Sequence, residues 1–125
     1  MTGQSEMDLE PMITIHVARH EPLTALPVDP LDPRAVMLAN FFESDIQASL
    51  TQTRDWLTAL DRVERKEMEV AEGTGNAFTL SIREDGVTLQ NEVFADEAPV
   101  RYTHAEIRAA LKSAETALSK FSRQA

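Results

Sequence analysis

The segment FTLSIREDGVTLQNEVF, residues 78–94, decides the fold of this chain. Apolar and polar side chains alternate on both sides of an Asp85-Gly86 step. Alternation with a period of two predicts strands with one buried face, and Asp-Gly between two such runs predicts a tight hairpin turn. We therefore predict strands at residues 77–83 and 87–94, joined as an antiparallel hairpin.

Weaker alternation predicts two further strands. Residues 67–71 (EMEVA) alternate charged and apolar side chains and precede a Gly-rich turn, which extends the hairpin into a three-stranded meander. Residues 12–18 (MITIHVA) alternate β-branched and polar side chains, and they predict an N-terminal strand. Residues 1–11 are polar and acidic without periodicity, which predicts a disordered tail.

Two helices are predicted from capping boxes followed by apolar stripes. Ser44 and Gln47 fit the first box, and apolar side chains spaced three and four residues apart extend it into a helix over residues 45–63. Thr103 and Glu106 fit the second box, which starts a helix over residues 104–121.

The segment before the first helix is rich in proline. Four prolines between residues 19 and 33 predict an extended loop, since proline lacks an N–H and biases its predecessor away from helix. Residues 34–43 form an apolar run too short to separate helix from strand, although Pro33 suits the first turn of a helix. Together the elements predict one α+β domain over residues 12–122. Its small antiparallel sheet, the meander plus the N-terminal strand, packs against two helices.

Composition excludes several classes of protein. The 125 residues include 21 acidic and 12 basic side chains, a net charge of −9, and no cysteine. A nucleic-acid-binding protein needs a basic surface, and disulfide scaffolds and cysteine-based metal sites need thiols. The sequence has no apolar run of membrane-spanning length and no secretory signal. We therefore expect a cytoplasmic protein that binds neither nucleic acid nor membrane, and its oligomeric state stays open.

Few residues suggest chemistry. His16 and His20 have the spacing of a helical metal site, but they fall in a strand and a loop. His104 lies in a capping box, and Gly73–Asn76 lacks the lysine and the following helix of a phosphate loop. No nucleophile, base and orienting group fall in a recognisable pattern. We expect no catalytic residue, metal site or cofactor, and hence a protein that is not an enzyme.

The negative charge is unevenly distributed. Residues 61–97 carry 10 acidic and 4 basic side chains, whereas residues 98–125 carry 2 acidic and 5 basic ones. An acidic surface can serve solubility alone, or it can steer a cationic partner towards its binding site. Sequence leaves both explanations open.

Several segments form a recognisable set: residues 40–47 (NFFESDIQ), 75–80 (GNAFTL) and 85–89 (DGVTL), with Trp56-Leu57, Val63 and Asn91. A closing helix with Glu106 and Leu111 completes the set, which spans residues 41–121. In these segments the chain resembles bacterial immunity proteins of contact-dependent growth inhibition, and a related group of small uncharacterised proteobacterial proteins. The resemblance implies a non-catalytic protein that binds a cognate toxin domain with a basic surface and blocks it.

If that implication holds, the partner-binding surface is expected on the exposed polar side of the strands. The candidates, selected by charge and expected exposure, are Glu67, Glu69, Thr79, Ser81, Thr88, Gln90, Glu92 and Asp96. Two other functions remain open: a housekeeping adaptor or scaffold protein with another partner, and a small enzyme or ligand-binding protein.

Overall fold

Six strands and three α-helices make up the part of the chain that a computed structural model describes, residues 11–19, 21–94 and 96–122. The strands are β1 (Ile13–His16), β2 (Thr24–Pro27), β3 (Val70–Thr74), β4 (Phe78–Arg83), β5 (Gly86–Asn91) and β6 (Val100–Tyr102). The helices are α1 (Pro33–Phe41), α2 (Leu50–Glu64) and α3 (His104–Ser122), and a π-helical turn (Phe42–Ile46) follows α1. Residues 1–10 of the predicted disordered tail lie outside the described residues.

The meander forms, with one strand more than predicted. Its strands pair antiparallel in the order β3-β4-β5-β6, and Leu80 lies opposite Gly73 on one side and Leu89 on the other. The fourth strand, β6, is only three residues long, so its alternation is too short to be recognised in the sequence. The α+β class with a small antiparallel sheet is confirmed.

One face of the meander carries the core. The inward side chains Phe78, Leu80, Ile82, Val87 and Leu89 are all buried against α2 and α3. The predicted helical stripes supply the opposing side: Leu57, Leu60 and Val63 from α2, and Ile107, Leu111, Ala114 and Leu118 from α3. Because both helices cover the same face, the opposite face of the sheet carries the polar side chains of each strand.

Three of the predicted strand boundaries in the meander are wrong by three residues. The strand predicted at residues 67–71 runs from Val70 to Thr74. It begins late because residues 65–69 form the connection out of α2, where Lys66 has a positive φ of 62°. The strand predicted at residues 87–94 ends at Asn91. There the Asn91 side chain accepts hydrogen bonds from the N–H groups of Val93 and Phe94, and this local turn ends the sheet pairing. The strand predicted at residues 77–83 is β4.

The N-terminal strand does not join the meander. The strand predicted at residues 12–18 is the shorter β1, which pairs with β2 in a separate two-stranded sheet, with Ile13 opposite Pro27. The loop predicted over residues 19–33 therefore contains a strand. Four prolines hid it in the sequence, but only Pro27 falls in β2, and it occupies the last position of that strand.

Residues 34–43, left open by the sequence, are helical. Asp32 caps α1 by accepting a hydrogen bond from the Arg34 N–H, and Pro33 occupies the first turn. The helix runs on into the π-helical turn, so residues 45–46 of the predicted helix 45–63 belong to that turn and α2 begins only at Leu50.

The first predicted capping box is wrong. Ser44 lies inside the π-helical turn, where its hydroxyl shares its one proton between the Asn40 carbonyl and the Asp45 carboxylate, each at 2.9 Å. Ser49 caps α2 instead, because its hydroxyl accepts from the Gln52 N–H at 3.0 Å. The chain reverses between the two helical segments at Gln47, which has a φ of 53°.

The second capping box is confirmed, and it also ties α3 to α1. The Thr103 hydroxyl accepts from the Glu106 N–H, and the Glu106 carboxylate accepts from the Thr103 N–H. Arg34 of α1 donates to the same carboxylate at 2.6 Å. Burial opposes ionisation of Glu106, but the hydrogen bonds from Arg34 and Thr103 outweigh it, so its pKa is lowered.

Glu106→Gln is expected to lower the free energy of unfolding at pH 7 by about 0.5–2 kcal/mol, because it weakens both the cap and the ion pair. A lowered native pKa means that the ionised carboxylate stabilises the fold at neutral pH and loses that effect as pH falls below about 4. Urea unfolding between pH 3 and 7 measures this. The difference in the free energy of unfolding between Glu106→Gln and the parent chain should shrink in acid. Glu84→Gln, at an exposed turn, should show no such trend. An equal deficit at pH 3 and pH 7 would contradict the account.

Candidate partner-binding surface

The polar face of the meander brings together half of the predicted binding residues. Thr79 and Ser81 of β4 and Thr88 and Gln90 of β5 alternate with the core side chains, so all four point away from the helices. In the sheet register, Ser81 lies opposite Glu72 on β3 and Thr88 on β5. We call this side of the meander the outer face.

Ser81 lies on the outer face but is not available to a partner. Only 6% of the residue is exposed, because it occupies the centre of the sheet and the side chains of the neighbouring strands enclose it. Its hydroxyl makes no hydrogen bond to any residue that the structure describes. The prediction that Ser81 is exposed is therefore wrong, since strand alternation gives the direction of a side chain and not the size of its neighbours.

A short chain of hydrogen bonds crosses one end of the outer face. Thr79 donates to the Glu92 carboxylate at 2.6 Å, so Thr74, whose hydroxyl lies 2.7 Å away, is the donor to Thr79. The Gln90 amide donates to the carbonyls of Asn91 and Glu97. Glu92, Asp96 and Glu97 are all exposed in the β5–β6 connection, beside the ends of the strands. The structure thus places Glu92 next to Thr79.

The two acids before β3 differ in their surroundings. The Glu67 carboxylate lies 3.8 Å from Arg62 and 3.9 Å from Arg65, so nearby basic groups balance its charge. Glu69 is exposed and makes no ion pair within the described part of the chain. Of the pair, Glu69 presents the uncompensated negative charge.

The acidity of the outer face lies towards its β3 side and not at its centre. Arg83 lies on β4 opposite Val70, the first residue of β3, and Arg101 lies on β6, where it contacts Asp85 at 3.5 Å. Glu72 lies further along β3 on the outer face, and Asp55 borders the same edge from the inner side, on α2. Both are exposed and make no ion pair with any described residue. Sequence reasoning missed both. Glu72 fell between the predicted strand, which ended at residue 71, and the predicted turn at residues 73–76, so it was given no face of the sheet. Asp55 lies on the polar side of α2, and the candidates were sought on the strands and their connections.

A buried carboxylate holds the start of β4 against the π-helical turn. Asp45 is 7% exposed and accepts hydrogen bonds from the backbone N–H groups of Ala77 and Phe78, each at 3.0 Å, and from the Ser44 hydroxyl at 2.9 Å. A side chain at Gly75 would clash here, because its Cβ would lie 2.6 Å from the nearer carboxylate oxygen of Asp45. We call this contact the Asp45 clamp.

The Asp45 clamp joins two of the segments on which the resemblance depends. Residues 40–47 supply the carboxylate, and residues 75–80 supply the glycine and the two N–H groups. Asn76 adds a further link, because its side-chain amide donates to the Ser44 carbonyl at 2.8 Å. These residues have a structural role that explains why they occur together. They do not form the binding surface proposed from charge.

The two histidines that the structure describes do not converge. His16 is exposed on β1, and His20 lies outside the described residues. The His104 ring contacts the Arg83 carbonyl at 2.6 Å and lies 3.8 Å from Glu64. Among the residues that the structure describes, no three histidine, aspartate or glutamate side chains are grouped as a metal site would require.

Comparisons with protein-family models, with curated proteins and with solved structures find no match for this chain. None of the helices described has the length and apolar character needed to cross a membrane.

Asp45→Asn is expected to lower the free energy of unfolding by about 1–3 kcal/mol. The amide offers only one oxygen, so one of the two buried N–H groups would face another donor. Denaturant unfolding measures the change. Asp55→Asn is the matched control, since Asp55 is exposed, and it should stay within about 0.5 kcal/mol of the parent chain. Equal effects of the two substitutions would show that Asp45 does not clamp the turn.

Proposed function

We propose that this chain is a non-catalytic immunity protein, which acts in the cytoplasm by binding a cognate toxin domain and blocking it. The proposal assigns it no catalytic residue, cofactor or metal. The toxin domain would present a basic surface, as domains that act on nucleic acids do to hold phosphates. The resemblance described above supplies the class of function, and the distribution of charge supplies the site.

The observation that carries the proposal is a set of exposed acidic side chains that make no ion pair with a described residue, along both sides of the β3 edge and in the β5–β6 connection. Asp55, Glu69, Glu72, Glu92, Asp96 and Glu97 make no ion pair within the described residues. By contrast, Arg108 and Arg34 are neutralised by acids between the helices. The unbalanced charge therefore supports association with a cationic protein, because opposite potentials speed encounter and fix orientation.

Thr79, Thr88 and Gln90 remain proposed contacts at the margin of this acidic surface, and Glu67, Glu92 and Asp96 remain proposed contacts within it. Thr88 and Gln90 are half-buried, and Thr79 already donates to Glu92. The three uncharged side chains would contribute hydrogen bonds around the acids. Ser81 is removed from the set because it is buried.

Coexpression tests the proposal. The C-terminal domain encoded by the neighbouring gene would be produced in a bacterial host, with and without the chain. Survival only in the presence of the chain, together with copurification of the two proteins, would support the proposal. Killing that the chain does not relieve, with no complex on a sizing column, would contradict it. A stable complex with a protein unrelated to any toxin would favour the adaptor function.

Glu72→Lys is expected to slow association with the toxin domain by about threefold or more at low salt, since it reverses a charge at the centre of the acidic surface. Surface plasmon resonance measures the on-rate. The effect should fade when added salt shortens the screening length to a few ångströms.

Glu21→Lys is the matched control, because it makes the same charge change on the exposed connection between β1 and β2. It should leave the on-rate close to that of the parent chain. If both substitutions slow association equally, net charge and not a defined surface governs binding.

A further inference from the structure

Strand β3 is an open edge of the meander. The Gly75 N–H donates to the Phe78 carbonyl, and in an antiparallel ladder the hydrogen-bonded and non-bonded pairs then alternate along the strand. Counting back from Gly75 makes Thr74, Glu72 and Val70 the non-bonded positions. Their N–H and C=O groups point away from β4, and no described residue hydrogen-bonds to them. The edge thus offers a row of unused backbone groups at every second residue.

An apolar groove runs beside this edge on the inner side. The groove lies between α2 and β3, has a volume of about 640 Å³, and is lined by Trp56 and Ala59 from the helix and by Met68 before the strand. Gly73 forms its floor, since a Cβ there would lie 3.1 Å from the Trp56 ring. Trp56 is only half-buried. Side chains of a strand added at this edge would therefore alternate between the groove and the outer face.

The charges around the edge determine which strand could fit. Glu72 lies on the outer face, Glu69 precedes the strand, and Asp55 borders the groove. Arg62 at the groove already faces Glu67, and Arg83 lies on the outer face opposite Val70, at the far end of the strand from Thr74. A basic side chain on the outer face of an added strand would lie near Glu72. A second copy of this chain, paired antiparallel through β3, would bring acidic edges together, and like charges facing each other across strands destabilise the pair.

We propose that β3 binds an extended segment of the partner protein as a fifth strand, with apolar side chains in the Trp56 groove and basic side chains along Glu72. The added strand would use the backbone groups of Val70, Glu72 and Thr74. This inference rests on the proposed function only in taking a basic protein as the partner. Beyond that function, it specifies that the partner binds by strand addition and that the recognised sequence alternates apolar and basic residues.

Two capped heptapeptides of equal composition test the pattern. One alternates lysine and valine, starting with lysine, and the other carries the four lysines together followed by the three valines. Fluorescence anisotropy measures the binding of each labelled peptide to the full chain. Charge attraction alone treats both peptides alike, whereas strand addition favours the alternating one by about tenfold. Equal affinity, or no binding of either peptide, would overturn the proposal.

A proline scan of the edge tests the position. Glu72→Pro removes the outward N–H without breaking a β3–β4 hydrogen bond, and proline is tolerated at such edge positions. Glu72→Pro should lower the affinity for the alternating peptide by about tenfold. Glu72→Gln, which removes only the charge, should lower that affinity about twofold. Arg101→Pro is the control on the opposite edge, since Arg101 is also a non-bonded position of β6, and it should keep the affinity.

Unfolding midpoints close to that of the parent chain would show that each proline variant keeps its fold. If Glu72→Pro and Arg101→Pro bind the alternating peptide equally, β3 is not the docking edge. Sedimentation of the chain alone tests whether a second copy occupies the β3 edge. A dimer that Glu72→Pro dissociates would assign the edge to that second copy and overturn the proposal. Protection from the toxin by a Glu72→Pro chain would leave the immunity function standing and reject only the strand addition.

Discussion

The Asp45 carboxylate is the interaction on which the arrangement of this chain depends. It lies at the end of the helical segment that begins with α1, and it accepts hydrogen bonds from the first two N–H groups at the start of β4. Burying a carboxylate costs free energy unless hydrogen-bond donors satisfy it. The turn between β3 and β4 must therefore keep one position relative to the π-helical turn. The glycine at residue 75 follows from this constraint, because any larger residue would displace the carboxylate.

The same constraint sets the edge from which function is inferred. Once the β3–β4 turn is fixed, the register of β3 is fixed too, and with it the alternation of its bonded and unbonded backbone groups. Trp56 packs over Gly73 and closes the inner side of the strand, while Glu72 points to the outer side. The apolar groove, the unpaired backbone groups and the acidic side chain of Glu72 therefore all lie along one short strand, β3. Their combination suits an extended basic segment better than a flat surface contact.

Periodicity made much of the fold predictable. The hairpin of β4 and β5, the stripes of α2 and α3, and the capping box at Thr103 all follow from local rules, and each is found in place. Local rules failed where a distant contact decides the outcome. Ser44 has the sequence of a helix cap, but the burial of Phe41 and Phe42 continues the preceding helix through it. Strand β2 was hidden because its pairing with β1, and not its own propensity, makes it a strand.

The candidate surface was predictable in direction but not in detail. Alternation placed Thr79, Thr88 and Gln90 on the outer face, yet it could not reveal that larger neighbours bury Ser81. The balance of charge could not be predicted either. The basic partners of Glu67 come from α2 and the residues after it, and Glu72 lay just beyond the predicted strand 67–71. Which acids remain uncompensated depends on three-dimensional neighbours, and those acids are the ones that a cationic partner would meet.

Amide hydrogen exchange of the complex with its toxin domain tests the central claim most directly. In the isolated chain, the outward N–H groups of Glu72 and Thr74 should exchange rapidly, while those of Ala71 and Gly73 are already protected by β4. Binding at the β3 edge predicts that Glu72 and Thr74 become protected, so that slow exchange extends to every residue of the strand. Unchanged exchange at these two residues, with new protection elsewhere on the molecule, would contradict the account.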